Sequence, residues 1–362
     1  MILVVEPSLK GVRFWTFKER AGRILPSLVV KDFQEVVDKG ALKKMVRSLI
    51  GKGRLEAVSF RIFFGGDTFK GPTLISEPFF KKFEGLVSFM PFYIPFTCRL
   101  LRVFYEEFKK VPLIAFFETA FFQGLPDEEK YYAVPQEHFQ KTNLKRYGFH
   151  GIYHEFNAET ADNKDRILSI VMDKQTTVCA IHKGRPESIS LGYTPLEGIM
   201  GRTSCGDLDP GIVFYMMKRY KFSIFKMDDI LKRESGFVGM TGYDLTFGEF
   251  FKLYGCDPKV TLAFDVYQNQ ILRYIGEGIS LLGGLDSIIF SGCHISLLMP
   301  LVYRIVKKIS FLGIDVKPLP WALKDDFSCI SKDDSKVKAR INFSALPAVL
   351  YYKAKDICGA AQ

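Results

Sequence analysis

The stretch at 194–210, TPLEGIMGRTSCGDLDP, concentrates the residues most able to do chemistry. Arg202 stands among Glu197, Asp207 and Asp209 between glycine and proline breaks, so the stretch reads as a tight polar loop. Such loops line sites, and this one feeds a helix that begins near Asp209. Other segments carry charge in apolar surroundings. Glu118 lies in ETAFFQGLP, where a buried carboxylate needs a partner, and Arg61 in FRIFFGG is the partner predicted for it. As a lone arginine beside a strand, Arg61 also reads as half of a surface or inter-strand ion pair. His150 and His154 share RYGFHGIYH. Glu6 follows the first apolar run, and Pro7 beside it removes an amide donor.

Strand and helix patterns set where these groups sit. Residues 2–5 and 12–17 are β-rich runs separated by a break at 6–10. The stretch 166–189 repeats the arrangement: ILSIVM, a polar break DKQTT, then VCAIHKG. Two such units heading two similar halves predict an α/β chain of two duplicated ribonuclease-H-like domains with a cleft between them. The expected first domain is 1–155 plus about 348–362, and the second is 156–347. Helical periodicity at 265–279 ends near Gly283-Gly284, 287–290 reads as a buried strand, and a last helix at 348–358 returns to the first domain.

Composition bounds the rest. With 362 residues, 48% apolar and 25% charged, the chain suits two ordinary globular domains. The net charge of +10 is spread over scattered doublets such as Lys43-Lys44 and Lys307-Lys308, which reads as a solvated face and not as a nucleic-acid surface. Seven cysteines without a Cys-X-X-Cys indicate neither a disulfide framework nor a zinc site, and fit a reducing cytoplasm. The opening MILVVEPS reads as a first strand and not a signal peptide. The apolar stretch at 86–105 is broken by Pro91, Pro95 and Arg99, so no membrane span is expected.

In order along the chain, FRIFFGG, ETAFFQGLP, RYGFHGIYH, the two ends of the 194–210 loop, SGFVGMTGYDL and ISKDDSKVK resemble motifs of the acetate kinase family. That family contains the acetate, propionate and butyrate kinases and belongs to the sugar kinase, Hsp70 and actin superfamily. The resemblance implies transfer of a phosphoryl group from ATP, with Mg2+, to a short-chain carboxylate, by a homodimer. It implies that Arg61 holds the carboxylate and phosphoryl groups, that Glu118 stands for the family's aspartate, and that His150 stabilises the transferring phosphoryl group. Phe63, Phe92, Phe149 and Pro195 fall at substrate-pocket positions, and Asp244, Leu245 and Gly292 at nucleotide-side positions.

Several family residues are replaced. Ser204 stands where the family has its catalytic arginine, and the nearest arginine, Arg202, arrives two residues early. Glu6 replaces an asparagine and becomes a candidate magnesium ligand, while Ala345, Leu346 and Pro347 replace the family's magnesium-binding acid. Residues 171–177 lack the glycines of the family's phosphate turn. Three readings follow: a rebuilt enzyme using Arg61, Glu118, His150 and Arg202, with Glu6 or Asp207 on the metal; an inactive homologue acting as a small-molecule sensor or regulatory partner; or a stabilising subunit of an active paralogue. Weak or absent nucleotide affinity is expected.

Overall fold

The computed structural model describes residues 1–8, 11–20, 23–135, 137, 143–161, 166–318 and 327–360. Leu9 and Lys10, the end of the expected first break, lie outside them. The contacts divide the chain into two compact units, Met1–Gln123 with Ala345–Gln362, and Gly124–Ser344.

The first unit holds a six-stranded sheet in the order β3-β2-β1-β4-β6-β5. Its strands are β1 (Ile2–Ser8), β2 (Gly11–Arg20), β3 (Arg23–Lys31), β4 (Ala57–Ile62), β5 (Thr73–Leu74) and β6 (Leu113–Phe117). β1, β2 and β3 form an antiparallel meander, β1, β4 and β6 run parallel, and β5 pairs antiparallel on the edge. β4 and β6 are almost wholly buried, so LIAFF reads as a continuous apolar run and AVSFRI departs from one only at Ser59 and Arg61. The helices Tyr93–Glu107 and Leu346–Ala360 pack on this sheet, and the last helix groups with the first unit. Phenylalanines fill the layer between: Phe60 meets Phe104 edge-on at 5.0 Å and Phe69 stacks on Phe117 at 4.4 Å.

The second unit repeats this plan in the order β11-β12-β10-β7-β8-β9. Here β7 (Arg166–Met172), β8 (Thr176–His182) and β9 (Arg185–Ile189) form the meander. β10 (Ser287–Ser291) and β12 (Lys338–Asn342) extend it in parallel, and β11 (Phe327–Cys329) caps the edge antiparallel. The sheets correspond strand for strand in direction, apart from where the antiparallel edge strand falls in the chain. The long helix Pro258–Leu282 packs on β8 with Phe264, Tyr267, Ile271 and Ile275 buried. Asp257 caps its start by accepting from the Lys259 and Val260 N–H groups, and Gly283 ends it in the left-handed conformation.

Three boundaries differ from expectation. β1 continues through Ser8, with Glu6 opposite Arg13 and Ser8 opposite Gly11, so most of the expected break is strand. Pro7 is tolerated there because β4 pairs with β1 only as far as Val5. Thr176 and Thr177 likewise belong to β8, leaving Asp173, Lys174 and Gln175 as the turn. Within 124–155, Ile152, Tyr153 and His154 are buried as the helix Gly151–Glu159 packs on β7, which draws that segment to the second unit. Among the described residues no helix is long and apolar enough to cross a membrane.

Candidate active site

In the first unit, parallel pairing sets Val5 beside Phe60 and Arg61 beside Phe116, so Glu6, Arg61 and Glu118 gather at the adjoining carboxyl ends of β1, β4 and β6. Open α/β sheets place ligand sites at such strand ends. Arg61 Nε donates to Glu118 Oε1 at 2.5 Å, and Arg61 Nη1 to Glu6 Oε1 at 3.2 Å. The predicted Arg61–Glu118 partnership is therefore present, and a second acid joins it. Both carboxylates are almost fully buried, and Arg61 is only 17% exposed. Gly65, in the loop after β4, lies where an added Cβ would sit 2.8 Å from the Phe117 ring, so a glycine there lets the backbone close over β6.

Glu6 is saturated with nitrogen partners. Beyond Arg61, its Oε2 accepts from Trp15 Nε1 at 2.9 Å and lies 3.7 Å from Arg13 Nη1. A magnesium ion demands oxygen ligands and would be repelled by two guanidinium groups, so this donor set does not fit the metal proposed for Glu6. Asp207, the other metal candidate, is equally occupied: Oδ1 accepts from Gly198 N at 2.7 Å and Oδ2 from the Tyr274 hydroxyl at 2.5 Å.

In the second unit, the 194–210 loop is locked by its own backbone. Phe237 N donates to Gly201 O and Val238 N to Arg202 O, so the first turn of the helix Gly236–Thr241 grips the loop. Arg202 points to Asp244, with Nη1 at 2.7 Å from Oδ1 and 3.2 Å from the Leu245 carbonyl. Three residues expected at catalytic and nucleotide positions thus meet, and what they form is an exposed ion pair. Ser204 Oγ donates to Gln175 Oε1 at 2.8 Å. Asp209 caps the helix Pro210–Tyr220, where the sequence places its start.

His150 adopts a left-handed backbone, φ 63°, at the start of the helix Gly151–Glu159, a conformation uncommon outside glycine. Its Nδ1 lies 3.1 Å from Thr177 Oγ1. Behind it runs a buried polar chain that the sequence reading misses. His154 Nε2 lies 2.9 Å from Thr177 Oγ1 and its Nδ1 2.7 Å from Ser169 Oγ. Asn157 Nδ2 donates to Ser169 Oγ and Ser291 Oγ, and Asn342 Nδ2 donates to Asn157 Oδ1. Burial, with the charge of His150, pushes the His154 pKa well below the ordinary range and keeps the ring neutral. The signal in the sequence is Ser169 inside ILSIVM and Asn157 a turn beyond His154: polar groups in apolar runs must find one another.

A second unpredicted network joins two motifs. Arg146 of RYGFHG reaches Glu197 of the 194–210 loop, Nη2 to Oε1 at 2.9 Å, and the Tyr132 hydroxyl donates to the other oxygen. Burial works against the Arg146 charge, but Glu197 and Glu129 outweigh it and hold its pKa high. A cavity of about 450 Å³ opens beside this network, lined by Tyr132, Tyr193, Leu196, Glu197, Asp207 and Val213. Of the expected pocket residues, Phe149 is buried, Phe63 is half-buried against Tyr93, and Pro195 is exposed. Phe92 is 80% exposed and adds no enclosed wall.

The turn after β7, expected on the nucleotide side, contains Asp173, Lys174 and Gln175 and no glycine, and Gly292 folds the segment after β10 against Met172. A carboxylate at that turn is a poor cradle for phosphate, and no phosphoryl step is assigned to it.

The fold is a duplicated α/β plan with the Arg61 cluster at the ends of parallel strands. Residues 20–343 match the acetokinase family, and the chain belongs to it. The acetate kinase of Dictyoglomus thermophilum is 30% identical over 317 residues, covering 83% of this chain and 79% of the relative. That of Clostridium novyi is 29% identical over 292 residues, covering 78% and 73%. The crystal structure of Porphyromonas gingivalis acetate kinase superposes with a TM-score of 0.89 at 22% identity, covering 98% of this chain and 99% of that one. Entamoeba histolytica acetate kinase gives 0.85 at 22% identity, covering 98% of each. Both structures share the fold.

Proposed function

We propose that the chain is a short-chain carboxylate kinase with a weakened nucleotide side. The observation that carries this reading is the Arg61–Glu118 pair at the ends of β4 and β6, where the family resemblance puts a carboxylate-binding arginine and its acid. Arg61, Glu118 and His150 are the residues assigned to the reaction, and the family's donor is ATP with Mg2+. The first domain takes the carboxylate side and the second the nucleotide side. Serine at the family's catalytic arginine position, with Arg202 held by Asp244, supports slow turnover. Each lost stabilising group costs roughly 10²- to 10³-fold in rate. A cytoplasmic homodimer completes the reading, on the family resemblance and on cysteines that are all unpaired.

A second reading, a homologue that binds a small acid without turnover, is favoured by the closure of both arginines in ion pairs. Trapping of acyl phosphate with hydroxylamine, using acetate, propionate and butyrate with MgATP, separates the two. The kinase reading expects product at a kcat/KM roughly 10²- to 10³-fold below a family acetate kinase, and its loss in Arg61→Ala. No product, together with a thermal shift by one of the acids, would move the chain to the second reading. Full product from Arg61→Ala would remove Arg61 from the site.

A further inference from the structure

Although the cysteine spacing carries no metal signature, the second sheet assembles a mixed set of ligand atoms. β7 and β10 are parallel neighbours with Ser291 opposite Val171, so Asp173 and the pair Cys293-His294 leave the sheet at the same end. One atom each from the Asp173 carboxylate, the Cys293 thiol and the His294 ring all lie within 4.8 Å of one another. Cys293 Sγ donates to Asp173 Oδ1 at 2.8 Å.

The cluster is built and not incidental. Gly292 has φ 108°, and an added Cβ would stand 2.5 Å from the Met172 carbonyl oxygen, so only glycine lets this segment close on the end of β7. His294 N then donates to Met172 O at 3.1 Å, and the His294 ring stacks on Phe247 at 5.2 Å and 14°. Asp173 Oδ1 is fixed from the other side by the Lys174 N–H at 2.7 Å, while the Lys174 side chain is exposed to solvent.

We propose that Asp173, Cys293 and His294 bind a divalent transition metal of the zinc type. Thiolate, imidazole and carboxylate together suit zinc or cobalt(II), whereas magnesium takes oxygen ligands alone. With metal–sulfur and metal–nitrogen bonds of about 2.3 and 2.0 Å, tetrahedral ligands stand roughly 3.5 Å apart. Metal binding requires side-chain rotation to bring the present spacing, within 4.8 Å, to that value. On binding, the metal–sulfur bond replaces the Cys293 S–H bond and the proton passes to solvent. Three protein ligands leave a fourth position for water. The cluster shares the turn after β7 with the expected nucleotide side, and because metal binding is assayed without substrate its failure is distinguishable from failure of the phosphotransfer reading.

The test is titration of the full-length, chelator-stripped, reduced protein with Co2+. The expected result is a sulfur-to-cobalt charge-transfer band with the intense visible absorption of four-coordinate cobalt, saturating at a single equivalent and bleached by zinc. Cys293→Ser should abolish the charge-transfer band, and His294→Ala should weaken binding by roughly 10-fold or more. Cys256→Ser, at another exposed cysteine, should leave the spectrum intact. A pale six-coordinate spectrum in the wild type, or an unchanged band in Cys293→Ser, would overturn the proposal. Far-ultraviolet circular dichroism on each variant separates loss of binding from loss of fold.

Discussion

Arg61 Nε and Glu118 Oε1 meet at 2.5 Å across the ends of β4 and β6, and Glu6 closes the same guanidinium from β1. A group that in an anion site would face its ligand is here neutralised by two acids of its own unit. On the proposed function, a substrate carboxylate at this position would compete with Glu6 for Arg61, which adds to the slow turnover proposed from Ser204 and Arg202.

Removing the cation should be costly to the fold. Arg61→Ala leaves the buried Glu6 and Glu118 carboxylates without it, and breaking such a pair costs about 3–5 kcal/mol. Urea denaturation reads the loss, and adding Glu118→Gln should restore part of it by discharging one acid. A loss below about 1 kcal/mol would show that the cluster carries no structural weight.

The buried histidine gives a pH dependence of defined sign. The His154 pKa is held well below its usual range by burial and then by His150, whereas in the unfolded chain it titrates near about 6.5. On acidification the unfolded state takes the proton first, so this stability is full above that pH and is lost as the pH falls below it. Thermal midpoints should fall between about pH 7.5 and about pH 5, and less steeply in His154→Gln, whose side chain does not titrate. Parallel curves for the two proteins would contradict the assignment.

Gly292 should tolerate no side chain. With φ 108° and the Met172 carbonyl oxygen 2.5 Å from an added Cβ, Gly292→Ala combines backbone strain with overlap on a main-chain atom. A loss of about 2 kcal/mol or more in chemical denaturation is expected. A neutral substitution would show that the segment after β10 can move off β7.

The fold is legible where apolar runs and breaks repeat: ILVV against ILSIVM, each followed by a returning strand, marks both sheets. Glu118 is legible too, since a carboxylate among phenylalanines has to be paired. What stays hidden depends on register between distant strands. Glu6 joins Arg61 only because β1 lies parallel to β4, and Asp173 meets Cys293 only because β7 lies beside β10. Arg202 looks like a displaced catalytic arginine in the sequence, yet Asp244, far along the chain, claims it. The first break was expected to be longer because Pro7 and Glu6 are poor strand formers, and tertiary pairing with Arg13 and Val12 overrides that preference.

The central claim is that the nucleotide side is weakened while the carboxylate side keeps its arginine and acid. Calorimetric titration of the purified protein with MgATP tests it most directly. A dissociation constant of about 1 mM or weaker, worth no more than roughly 4 kcal/mol, is the predicted result. Saturable binding in the micromolar range would contradict the account.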